Sequence, residues 1–249
     1  MTAPWWWLLL ALALAPARAA AAEPPLVAAL SQGVVEVTTG FTGATLTVFG
    51  STGEPIGPGG DEVVILVRGP TRPIVVRRKV QVAGLLWVNG PSARFEHVPG
   101  FYALAATRPA WQILPEQERM RHGVGLDALP LESRGARGPA FRAALLALET
   151  ERGLWSEDAT PVEIRGNRLF HATIALPATV PTGEYRVEVL LVRARQVAAR
   201  EELGFWVNRV GAADRIATVA EVQPLVYGLA CVLLAALAGW LGSVLFRRS

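Results

Sequence analysis

The stretch Thr182-Gly183-Glu184-Tyr185-Arg186-Val187-Glu188-Val189 decides the fold of this chain. A Pro-Thr-Gly turn leads into an alternating run that opens on a tyrosine, and alternation with a period of two is the mark of a strand with one buried face. Similar text surrounds it. Pro161 to Ile164, Arg168 to Leu176, Gly183 to Val192 and Arg195 to Val207 read as strands in the second half of the chain. Val34 to Thr39, Ala44 to Phe49, Glu62 to Val67, Ile74 to Val80 and Leu85 to Val88 read as strands in the first half. Most are separated by Gly or Pro, the usual punctuation of short strands.

A tyrosine at the head of such a strand resembles the start of the penultimate strand in an immunoglobulin-like sandwich, where its hydroxyl bonds back to the preceding corner. An ordinary edge hairpin is the competing interpretation. Between Pro99 and Trp155 the pattern becomes helical. The stretch GFYALAATRPAWQIL from Gly100 suits the start of a short helix stopped before Pro109, and Pro115 followed by Glu116 and Glu118 suits a helix start. Phe141 to Arg152 sets Phe141, Leu145, Leu146 and Leu148 on one broad face, with Arg142, Glu149, Glu151 and Arg152 elsewhere. The expected fold class is mainly β: an immunoglobulin-like β-sandwich with a helical insertion, plus one C-terminal transmembrane helix.

That last element rests on Leu225 to Phe246, 22 residues without a charge, at about 1.5 Å per residue enough for a bilayer core. Arg247 and Arg248 follow at once and favour a cytoplasmic carboxyl end. At the other end an apolar run and the Ala17-Arg18-Ala19 triplet read as a secretory signal cleaved after Ala19 or Ala22, with an uncleaved anchor as the alternative. The expected layout is a signal peptide (1–22), a periplasmic domain in two β parts (23–98 and 156–210) around a helical insertion (99–155), a juxtamembrane segment (211–224), a span (225–246) and a cytoplasmic tail (247–249). The expected location is therefore a bacterial inner membrane, crossed once.

Charge excludes some partners. Outside the two termini, 21 cationic side chains face 21 carboxylates, so the pI near 9.6 gives no support to a nucleic-acid or anionic-surface partner. The one cysteine, Cys231, lies in the terminal apolar segment, which excludes disulfides within the chain. His97, His122 and His171 lack metal-ligand spacing, no nucleophile elbow or P-loop is present, and the adjacent carboxylate pairs Glu157-Asp158 and Glu201-Glu202 point to opposite strand faces. Neither a cofactor nor an enzymatic activity is expected.

Two patterns remain as candidate contacts. Arg77 and Lys79 share a strand face and suit an anion or a partner's carboxylate; a solvated face, or a salt bridge to Glu62 or Asp61, is the ordinary alternative. Cys231, Ala235, Gly239 and Ser243 recur every four residues as a strip of small side chains, the spacing that lets a second helix approach closely.

The ordered set Phe41-Thr42-Gly43, Val48-Phe49-Gly50, Val67-Arg68-Gly69-Pro70, Arg77-Arg78-Lys79 with Gly84, Trp87-Val88-Asn89 and Phe101-Tyr102-Ala103 resembles the alphaproteobacterial putative transmembrane protein family over nearly the full length. The resemblance implies a topology and a lineage, with no catalytic residues to carry over. It also implies an integral membrane partner, first among them a permease of the sulfite-exporter type. The functional expectation is an accessory or interaction subunit of an inner-membrane complex. A periplasmic small-molecule binding module that feeds a transporter is the alternative, with an enzyme as the more remote rival.

Overall fold

A computed structural model describes residues 24–38, 40–82, 85–135, 138–156, 158–210 and 224–246. The expected signal peptide (1–22), the juxtamembrane residues 211–223 and the tail with Arg247 and Arg248 lie outside the described residues.

Thirteen strands are described, in three sheets. β1 (Leu26–Leu30), β3 (Gly43–Thr52), β11 (Leu169–Pro177) and β10 (Glu163–Arg165) form a four-stranded antiparallel sheet in the order β1-β3-β11-β10. A six-stranded sheet has the order β2-β13-β12-β4-β7-β9, from β2 (Val34–Val37), β13 (Gln196–Arg209), β12 (Gly183–Arg193), β4 (Glu62–Arg68), β7 (Tyr102–Ala106) and β9 (Thr160–Pro161). Its two short edge strands, β2 and β9, pair in parallel, the others antiparallel. The two sheets pack on one another through β1 against β13 and β11 against β7 and β9. Leu46 and Val48 of β3 and Phe170, Ile174 and Leu176 of β11 supply one side of the core, and Tyr185, Val187, Val189, Phe205 and Val207 the other. All are buried, and each full apolar burial contributes about 1.5–3 kcal/mol.

The tyrosine corner is present. Tyr185 Oη donates to Pro181 O at 2.7 Å, and its ring packs on Phe205 with centroids 4.8 Å apart. Gly69, at the end of β4, is where this cluster touches backbone: a Cβ there would stand 2.9 Å from Tyr185 Cε1 and 3.0 Å from Phe101 N.

Several expectations are corrected. Ile74–Val80 and Leu85–Val88 do not join the sandwich. They belong to a long hairpin, β5 (Thr71–Val82) and β6 (Leu86–Pro99), which with β8 (Ser133–Gly135) makes a third sheet. The run Phe101 to Ala106 is not a helix but β7, buried at every position beside β4, since five apolar residues carry no period that separates a buried strand from a buried helix. The expected insertion therefore holds strands as well as helices α1 (Ala110–Ile113), α2 (Glu116–His122) and α3 (Pro139–Glu151). On α3 the inward face carries Leu145 and Glu149, while Leu148 is exposed. Glu149 is drawn inward because Arg72 and Arg152 both donate to it at 3.0 Å.

The carboxyl-terminal segment is helical, α4 (Pro224–Phe246). Among the described residues, however, no helix is long and apolar enough to cross a membrane. The transmembrane helix is thus withdrawn from the fold class, which stands as mainly β.

Candidate functional site

The sequence Val67-Arg68-Gly69-Pro70 takes the chain out of the central strand β4 and into β5, and a cleft of about 710 Å³ opens at this exit. Its lining comes from β4, β6, the end of α2, β12 and β13, elements far apart along the chain. On β12 the residues facing the sandwich core are Tyr185, Val187 and Val189. The alternate set Glu184, Arg186 and Glu188 lines the cleft.

Glu188 is the buried carboxylate of the site, its side chain 7% exposed. Arg68 Nη1 donates to its Oε1 at 2.8 Å, and Arg200 Nη2 to the same oxygen at 3.2 Å. Arg68 Nη2 also donates to His122 O at 2.6 Å and to Gly123 O at 3.3 Å. These are carbonyls at the carboxyl end of α2, where a cation is favoured. Gly123 ends that helix with φ of 64°, a left-handed turn that suits glycine. Arg121 and Arg186 are exposed at the rim and make no ion pair among the described residues. Four arginines against two glutamates leave the cleft cationic.

Tyr102 holds the loop behind the cleft. Its hydroxyl donates to Gly123 O at 3.0 Å and accepts from Gly125 N–H at 2.7 Å. Burial pushes its pKa up to about 12, opposed in part by the Gly125 hydrogen bond. Tyr185 is likewise raised by burial. A phenol with a raised folded pKa contributes stability that is fully present below the unfolded value near 10 and is lost as pH climbs towards 12. The solubilised chain is therefore expected to weaken between pH 10 and 12 in urea titrations. Tyr102→Phe should cost about 1–3 kcal/mol at pH 8, by leaving Gly125 N–H and Gly123 O unpaired, and should flatten the alkaline decline. An unchanged alkaline slope would contradict this assignment.

Arg77 and Lys79 do not enter the cleft. Both are exposed on β5, opposite Ser92 and Asn89, with an irregularity in the ladder between them. Salt bridges from them to Asp61 or Glu62 are not formed. Arg193 takes Asp61 with two hydrogen bonds of 2.7 and 2.9 Å, and Arg108 takes Glu62 at 2.8 Å. Cys231, Ala235, Gly239 and Ser243 are exposed on α4, and nothing lies within 4 Å of a Cβ built on Gly239. His97 and His122 line the cleft together, and His171 instead faces Glu163 at 3.4 Å. Among the described residues no group of three or more His, Cys, Asp or Glu is placed to hold a metal ion.

Sequence reasoning missed Arg68, Glu188 and Arg200. The available signal was the alternation after Thr182, which sets Glu184, Arg186 and Glu188 on one face of a strand whose other face is core. Nothing local pairs Glu188 with Arg68, 120 residues away.

A family model described as "Putative transmembrane protein (Alph_Pro_TM)" matches residues 25–248. No curated protein matches the sequence. Among solved structures, a chain from the work titled "Structural basis of T cell specificity and activation by the bacterial superantigen toxic shock syndrome toxin-1" is similar at 8% identity and a TM-score of 0.26. That alignment covers 74% of this chain and 99% of the other, and a score so low carries no argument about fold. The family match spans almost the entire sequence, and Arg68 and Tyr102, both within the pieces that carried the resemblance, meet behind the cleft; the chain belongs to the family so described, a membership compatible with a place at a membrane.

Proposed function

We propose that this protein is a membrane-associated, exported accessory subunit without catalytic activity, the bulk of it periplasmic, whose cationic cleft receives an acidic group. The observation that carries the reading is the cleft itself: Arg121 and Arg186 stand exposed at the rim without an ion pair among the described residues, above a buried Glu188 already held by two guanidiniums. A carboxylate bound on both sides suits an anchor for arginines rather than a proton shuttle, which favours binding over catalysis. The acidic group is proposed to belong to an integral membrane partner. A sulfite-exporter-type permease is the first candidate, on the family resemblance alone. The cleft volume also suits a free small acid, the binding-module alternative.

The test uses the full chain in lipid nanodiscs, titrated calorimetrically with succinate and with sulfate. Either anion is expected to bind, more weakly at higher salt, and the double variant Arg121→Gln, Arg186→Gln should lose roughly tenfold in affinity. Because both side chains are exposed, the fold should not suffer. If neither anion binds, or if the double variant binds as well as the parent, the cleft is not an anion site.

A further inference from the structure

The third sheet carries a feature that the cleft does not use. Beyond its base, where β8 pairs with Ala93, Arg94 and Phe95, the β5–β6 hairpin continues as a two-stranded ribbon. From Arg77 to Ser92 no described side chain is buried. Six or seven residues per strand at about 3.3 Å each make this free part roughly 20 Å long. A ribbon of two strands with no covering layer is marginal in water, and this one ends in apolar residues. Leu85 is 87% exposed, Leu86 65% and Trp87 64%, and Val80 and Val88 face each other just behind them.

The charge on the ribbon has one sign. From Thr71 to Phe95 the sequence holds Arg72, Arg77, Arg78, Lys79 and Arg94 and no Asp or Glu. Arg72 is engaged with Glu149 and Arg94 with Glu96, while Arg77, Arg78 and Lys79 are exposed along the ribbon. Lys79 pairs with Asn89, three rows behind the Val82–Leu86 pair at the tip, roughly 10 Å along the strand. Apolar side chains that enter a bilayer boundary reach about 5–10 Å below the headgroups, so a cation at this distance from the tip stands among the phosphates. A tryptophan between the apolar end and the cations occupies the level that amphipathic rings prefer.

We propose that the distal β5–β6 ribbon is a membrane-surface wedge: Leu85, Leu86 and Trp87 enter the headgroup boundary of a bilayer, and Arg77, Arg78 and Lys79 meet anionic lipid phosphates. The occupant of this apolar tip is a lipid surface of negative charge. This contact is independent of whether the cleft binds an anion.

The experiment places the full chain in nanodiscs of phosphatidylcholine, alone or mixed with phosphatidylglycerol, with or without brominated acyl chains. Subtracting the Trp87→Phe emission from that of the parent isolates Trp87 from the other tryptophans. In the mixed discs Trp87 is expected to emit at shorter wavelength, to be quenched by brominated chains and to be shielded from aqueous iodide. The triple variant Arg77→Gln, Arg78→Gln, Lys79→Gln should reduce that quenching severalfold in the mixed discs, at roughly fivefold in affinity per charge, and change little in phosphatidylcholine alone. All these positions are exposed, and unchanged near-ultraviolet dichroism from buried Trp155 verifies the fold of each variant. Iodide access to Trp87 without bromine quenching in the mixed discs would overturn the proposal. So would a dimer that shields Trp87 and dissociates on Leu86→Asn, which would assign the tip to a second copy of the chain.

Discussion

Trp155→Ala is expected to destabilise the β domain by about 3–5 kcal/mol, as a large truncation in a closed core does. The ring is 1% exposed, and its Nε1 donates to Pro99 O at 2.9 Å, so alanine leaves both a cavity and an unpaired carbonyl. The site also joins elements. Tyr102 N–H donates to Leu154 O and Ser156 N–H to Tyr102 O, both at 3.0 Å, fastening the segment after α3 to β7. Urea unfolding followed by near-ultraviolet dichroism measures the loss. Trp155→Phe should recover a good part of it, because it restores volume without the hydrogen bond. A loss below about 1 kcal/mol on Trp155→Ala would mean that the core collapses around the site, and the packing described here would be wrong.

The second large effect is expected at Arg68. Arg68→Met removes the shorter of the two ion pairs to Glu188 and the donor to His122 O and Gly123 O, and should cost on the order of 3 kcal/mol. Most of that is the penalty of leaving a buried carboxylate half compensated rather than the worth of the pair. Arg200→Met should cost much less, because that side chain is 42% exposed, stands farther from Glu188 and is shared with Glu202. A double-mutant cycle of Arg68→Met with Glu188→Gln is expected to give a coupling of about 1–3 kcal/mol. Equal losses for the two arginines, or no coupling, would remove the asymmetry that the geometry implies.

How much of this was legible depends on the range over which each feature is encoded. Alternation and turn residues located most strands of both halves, but β1, β7 and β8 were not read as strands and β6 runs on to Pro99, well past Val88; the tyrosine of Thr182–Val189 found its corner. The buried run of β7 was misread because every position in it is apolar. Glu149 was assigned to the solvent face because helical periodicity counts a carboxylate as polar, and only the arrival of Arg72 from 77 residues away reverses that. The distribution of charge is likewise set by the fold. A neutral middle of the chain gave no hint of an anionic surface partner, yet the folded chain gathers one sign of charge along a ribbon and another cationic group around a cleft.

Taken alone, the sequence determined what is local: a period of two, the Gly and Pro breaks, the corner tyrosine, a helix start after Pro115 and the family. Tertiary structure alone decided which strands form the sandwich and which project from it, which carboxylates turn inward, and where the arginines meet. The physical reason is that local patterns record which face of an element is buried, whereas an ion pair such as Arg68 with Glu188 exists only once strands 120 residues apart lie side by side.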